Sequence, residues 1–163
     1  MLRGLITTFK SLFEKPVTIQ YPEQRRPVHE RYRGQHELKR YDNGLEKCIG
    51  CALCAAACPA DAIFVEAAEN TDEERYSPGD RYASTYEINM LRCIYCGFCE
   101  DACPTEAIVL EKKYELTYTT RLSAIYTKDM LLVKVPPGGE PTPRKTEPGV
   151  YTRSVPEMKD PTD

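Results

Sequence analysis

The chain contains no tryptophan, and apolar residues make up only 41% of its 163 positions. A core of ordinary size built from side chains alone is therefore not expected, and something else must fill part of the interior. No secretory signal precedes the cysteines, which argues against a disulfide framework. There is no Gly-rich dinucleotide fingerprint, so nicotinamide or flavin nucleotide binding is not expected of this polypeptide. No acid–base constellation is laid out for bond chemistry either. Nor is any cysteine left over: all 8 fall in two short runs.

The first run is Cys48-Ile49-Gly50-Cys51-Ala52-Leu53-Cys54-Ala55-Ala56-Ala57-Cys58-Pro59, and the second is Cys93-Ile94-Tyr95-Cys96-Gly97-Phe98-Cys99-Glu100-Asp101-Ala102-Cys103-Pro104. Each reads C-x2-C-x2-C-x3-C-P, the spacing of bacterial two-cluster iron–sulfur proteins. An Fe4S4 cube has four irons, each needing one outside ligand, and thiolate is the soft donor that suits them. Three cysteines two residues apart can wrap one corner of a cube. The fourth, after three residues, sits on a helical turn that swings its sulfur away. In two-cluster ferredoxins that fourth cysteine ligates the other cube. On that pattern Cys48, Cys51, Cys54 and Cys103 hold one [4Fe–4S] cluster, and Cys93, Cys96, Cys99 and Cys58 hold the second. Structural zinc would show paired C-x2-C knuckles instead of triplets followed by C-P. The small residues between the ligands let backbone N–H groups approach sulfur and keep water out, and Pro59 and Pro104 end the turns. Cubes standing in for part of the core would couple cluster loss to unfolding.

Charge is unevenly spread around the overall −3. Residues 1–47 carry a net +4, residues 48–112 a net −8 and residues 113–163 a net +1. The acidic middle is the cluster region, which argues against nucleic acid as its partner. The basic front suits an anionic membrane surface or acidic neighbouring subunits.

Residues 1–15 are expected to form a helix. At about 100° per residue, Leu2, Leu5, Ile6, Phe9, Leu12 and Phe13 fall in one arc of roughly 120°. That stripe is too short and one-sided to cross a bilayer, which needs about 20 apolar residues. It suits a helix lying in the membrane interface or against a protein partner. Residues 16–45 read as an extended basic arm with Arg25, Arg26, Arg31, Arg33, Lys39 and Arg40. His29 and His36 are expected to be ordinary surface histidines.

An internal repeat follows: Lys47–Ala67 aligned on Arg92–Lys112 gives ten identities in 21 positions. Residues 62–65 and 107–110 are expected as short strands, and 85–90 as a strand leading into the second run. Two halves exchanging a ligand predict a pseudo-two-fold α+β ferredoxin-like domain over 46–112. Within it, 67–83 reads as an acidic, turn-rich surface insertion. Residues 113–135 form an extension with a helix-like stretch near 123–132. The tail, 136–163, has seven Pro and three Gly in 28 residues. It is expected to be disordered or laid over a neighbour.

Several stretches resemble a known family. Leu12-Phe13 through Pro16-Val17-Thr18-Ile19-Gln20-Tyr21-Pro22 is similar to the front of subunit I of the proton-pumping NADH–quinone oxidoreductase, respiratory complex I. So is Arg31-Tyr32-Arg33-Gly34 with Leu38, Arg40-Tyr41, Asn43-Gly44 and Glu46, leading into the first run. Tyr86-Glu87-Ile88-Asn89 and the second run also resemble it, and the likeness covers about residues 1–135. The start almost at the amphipathic helix is read as a bacterial form. The resemblance implies a relay role, electrons passing singly from an upstream iron–sulfur subunit toward the terminal cluster beside quinone. It implies a peripheral place at the cytoplasmic side of the cell membrane. Partners would be the upstream iron–sulfur subunit, the terminal-cluster subunit, and the quinone-site and membrane-arm subunits. NADH, flavin, quinone and proton channels would belong to other subunits. The alternatives are the equivalent subunit of a membrane-bound hydrogenase and a free soluble ferredoxin; the front helix, basic arm and long tail count against the latter.

Overall fold

A computed structural model describes residues 2–144, which divide into two units with the boundary between Arg31 and Tyr32. In the first unit helix α1 spans Leu2–Ser11, and none of its side chains is buried. It ends a turn before Pro16, which cannot donate a helical N–H. The hydroxyls of Thr7, Thr8 and Ser11 donate back to the carbonyls of Arg3, Gly4 and Thr8 at 2.9, 3.2 and 2.7 Å. Such local bonds compete with helix propagation. Leu2, Leu5, Ile6 and Phe9 on the helix, with Leu12 and Phe13 just beyond it, are all exposed.

The second unit is α+β. Strand β1 (His36–Leu38) pairs antiparallel with β4 (Ile108–Leu110), with Leu38 opposite Ile108. Strands β2 (Ile63–Glu69), β3 (Arg81–Asn89) and β5 (Ile125–Thr127) form a second antiparallel sheet in the order β2-β3-β5. The repeat dictates this arrangement. The strand before each cysteine run pairs with the strand that follows the other run. Ile88 opposite Ile63 thus answers Leu38 opposite Ile108. The core is correspondingly small: Leu38, Tyr86, Ile88, Ile108 and Leu131 cluster with Cys54 and Cys99.

Three expectations are corrected. The extended basic arm supplies β1, and there His36 is 1% exposed, with Leu45 and Glu46 buried too. His36 is therefore no surface histidine. The helix expected over 123–132 is instead a 3-10 turn (Leu122–Ala124), β5, and the one-turn helix Lys128–Leu131. The free edge of β3 outcompetes local helix propensity here: Tyr126 pairs with Ile88 and satisfies backbone groups otherwise left open. The tail's first part lies on its own domain: Glu140 N–H donates to the Asn43 carbonyl at 3.2 Å, and Arg75 and Arg144 exchange backbone bonds of 3.0 and 3.1 Å. Gly44, at φ +91°, makes room for this strap, because a Cβ would collide with the Glu140 backbone. The rest of the Pro-rich tail, 145–163, lies outside the described residues.

The stretch 67–83 is the far end of the β2–β3 hairpin. Its tip is closed by Asn70, whose Nδ2 donates to Ser77 Oγ and the Gly79 carbonyl, both at 2.8 Å. Ser77 is fully buried within it.

Candidate iron–sulfur centre

The two cysteine runs take the same backbone path. Left-handed residues recur at matching places: Gly50 and Tyr95 at φ 66° and 54°, Ala52 and Gly97 at 59° and 86°, Asp61 and Glu106 at 44° and 48°. Each of these six reversals turns the backbone sharply beside the cysteines. 

Four of the six positions are not glycine, so the path costs about 1 kcal/mol or more at each and persists because the site demands it. Helices α2 (Leu53–Ala56) and α3 (Phe98–Asp101) follow these turns and carry Cys54 and Cys99, both buried. Backbone N–H groups then point at sulfur: Ala62 to Cys58 and Tyr95 to Cys93 at 3.4 Å, and Ala107 to Cys103 at 3.2 Å.

Two apolar cavities result. The first has about 320 Å³ of open space and is lined by Cys48, Cys51, Cys54 and Cys103, with Leu38, Val65, Tyr86 and Ile108 among its walls. The second has about 290 Å³ and is lined by Cys58, Cys93, Cys96 and Cys99, with His36 and Ile63. Each cavity draws three cysteines from one run and the fourth from the other. All eight thiols are free. Among the described residues, no three His, Cys, Asp or Glu side chains are grouped as they would be around a single metal ion.

The electrostatics favour a cationic guest. Burial pushes the Cys48 thiol up to about 11 and the Cys99 thiol up to about 12, and it raises Cys54 and Cys93 as well. Cys103 is the exception. Burial raises it, but the N–H groups of Ile108 and Ala107 and the Thr105 hydroxyl outweigh that and bring it below the ordinary thiol value. Four thiolates around a dry hole are unstable without positive charge among them, and iron supplies that charge. Donor type, the three-plus-one set of cysteines at each cavity and charge all fit an iron–sulfur cube.

Residues 47–107 match the 4Fe-4S dicluster domain. This is a two-cluster iron–sulfur domain. The chain is also similar to one in the structure of the membrane-bound sulfane sulfur reductase, an archaeal respiratory membrane complex. The identity is 34%, over 80% of this chain and 60% of that one, with a TM-score of 0.48. The dicluster domain carries two [4Fe–4S] clusters and serves electron transfer.

Three polar side chains at the cavities escaped the sequence reading. The Tyr86 hydroxyl lies 3.3 Å from Cys54 Sγ, His36 Nε2 lies 3.7 Å from Cys93 Sγ, and Thr105 Oγ1 lies 3.7 Å from Cys103 Sγ. The first two each sit in the strand that leads into one cysteine run and meet a sulfur of the other, which spacing along the chain does not reveal. His29, by contrast, is exposed as expected.

Proposed function

We propose that the chain is the electron-relay subunit of a proton-pumping NADH–quinone oxidoreductase, respiratory complex I, on the cytoplasmic side of the membrane. Cys48, Cys51, Cys54 and Cys103 hold one cluster, and Cys93, Cys96, Cys99 and Cys58 hold the other. The observation that carries the relay reading is the pair of cavities, each ringed by three cysteines of one run and one of the other. When bound, each cluster takes up and gives back one electron. The protein's part is to fix two such groups in one rigid unit, exclude water with Leu38, Val65, Ile63 and Ile108, and direct N–H groups at sulfur.

The choice of complex I rests on the likeness of residues 1–135 to its subunit I. The exposed apolar stripe of α1 supports a place at the membrane interface, where Arg3 and Lys10 would meet anionic headgroups. No helix among the described residues is long and apolar enough to cross the bilayer. The partners in this reading are the upstream iron–sulfur subunit, the terminal-cluster subunit, and the quinone-site and membrane-arm subunits.

The test is to purify the tagged chain with its companions and measure what the assembly oxidises. NADH-dependent quinone reduction supports the proposal. Hydrogen evolution or sulfur reduction by the assembly would move the chain to a related membrane complex, and a soluble, monomeric holoprotein would make it a free ferredoxin.

A further inference from the structure

We propose that Tyr86 makes the two clusters unequal, its hydroxyl donating to Cys54 Sγ so that the cluster of Cys48, Cys51, Cys54 and Cys103 is the easier of the two to reduce. This rests on the ligand sets proposed above.

The pseudo-two-fold symmetry shows where to compare the halves. Tyr86 in β3 stands opposite Val65 in β2, and His36 in β1 stands opposite Leu110 in β4. Val65 and Leu110 are equivalent in the sequence repeat, so Tyr86 and His36 occupy the same place in the two halves. Both are 1% exposed and both face a cysteine sulfur. Their chemistry differs. A coordinated sulfur has no proton to give, so the Tyr86 hydroxyl is the donor in its contact. Its 3.3 Å approach is closer than the 3.7 Å of His36 Nε2 to Cys93.

A hydrogen bond to a ligand sulfur draws off electron density and stabilises the reduced cluster. In a dry site that bond is stronger than it would be in water. A second contrast points the same way. Thr105 offers a hydroxyl to Cys103 at 3.7 Å, whereas the repeat places Ala60, with no donor, beside Cys58. The backbone agrees: Ala107 N–H reaches Cys103 at 3.2 Å, against 3.4 Å from Ala62 to Cys58. One feature opposes. The Arg33 side chain packs over Gly97 beside the second set, and its charge favours reduction there. Arg33 is exposed, however, so water and salt screen it, while Tyr86 is not screened. An electron entering at the second set therefore runs downhill to the first.

The experiment is an EPR-monitored redox titration of the holoprotein in its complex, wild type against Tyr86→Phe, with iron and sulfide counted in both. Phe keeps the ring and removes the donor. The more positive couple should become about tenfold harder to reduce, a shift of ~59 mV for a one-electron couple, while the other stays in place. If neither couple moves, or only the more negative one does, the proposal is overturned. Should the Phe variant fail to assemble, 3-fluorotyrosine at position 86 keeps the shape with a more acidic hydroxyl. It should move the same couple the opposite way, and an unmoved couple there overturns the idea equally. The ligand sets stand or fall separately: a Cys51→Ser protein that keeps both clusters intact would remove them, whatever position 86 does.

Discussion

At the scale of single residues, the cysteines and the residues that position them behave differently in the sequence. Eight sulfurs at fixed spacing announce themselves, because cluster chemistry accepts few substitutes. Cys51→Ser replaces a soft thiolate by a hard oxygen at one corner of the first cavity. We expect that variant to lose one cluster by iron count and to pass electrons through its assembly at a small fraction of the wild-type rate; unchanged electron flow would contradict the relay. Gly97 is a subtler case. It adopts φ +86° with Arg33 packed where a Cβ would go. Gly97→Ala should cost at least about 1–2 kcal/mol and speed the loss of the second cluster in urea, followed by the fading of visible absorption. Ala52, its counterpart, already carries a Cβ at φ 59°, so Ala52→Gly should not weaken the first. Tyr86 and His36 were not legible as sulfur neighbours, because strand pairing across the two halves brings them to the cysteines. Spacing along the chain says nothing of that.

At the scale of elements, periodicity was informative where an element is decided locally and uninformative where it is decided by a partner. Strands β2 and β4 follow directly from the apolar runs after each Cys-Pro. The segment 123–132 does not: its pattern suits a helix, but the open edge of β3 takes Ile125–Thr127 as a third strand. Helix α1 was legible from its stripe, and that stripe is exposed along its whole length. Placing two carboxylates on it removes the apolar contact and adds charge of the wrong sign for an anionic surface. Leu5→Glu combined with Phe9→Glu should shift the chain from the membrane fraction to the wash after mild salt treatment, with both clusters retained. Full retention of the double variant would mean that protein contacts alone hold this end in place.

At the scale of the whole molecule, the small core and the buried thiols share one consequence. The second unit's interior closes over two cavities that side chains do not fill, so the apolar walls gain their full packing only around a guest. Removing iron with a chelator should therefore abolish much of the sheet signal in circular dichroism, since ligand assembly and folding are one equilibrium. The pH dependence of what remains has a definite sign. Cys48 and Cys99 are raised from an unfolded value of 9.0 to about 11 and about 12. In the iron-free chain the unfolded thiols ionise first as pH rises. Their contribution to stability is complete below pH 9 and is lost progressively toward pH 11–12. Reconstitution with iron and sulfide runs the other way, because ligation releases thiol protons and is favoured by rising pH. An iron-free chain that held its fold unchanged from pH 8 to 11 would show that these thiols are not buried as their cavities require.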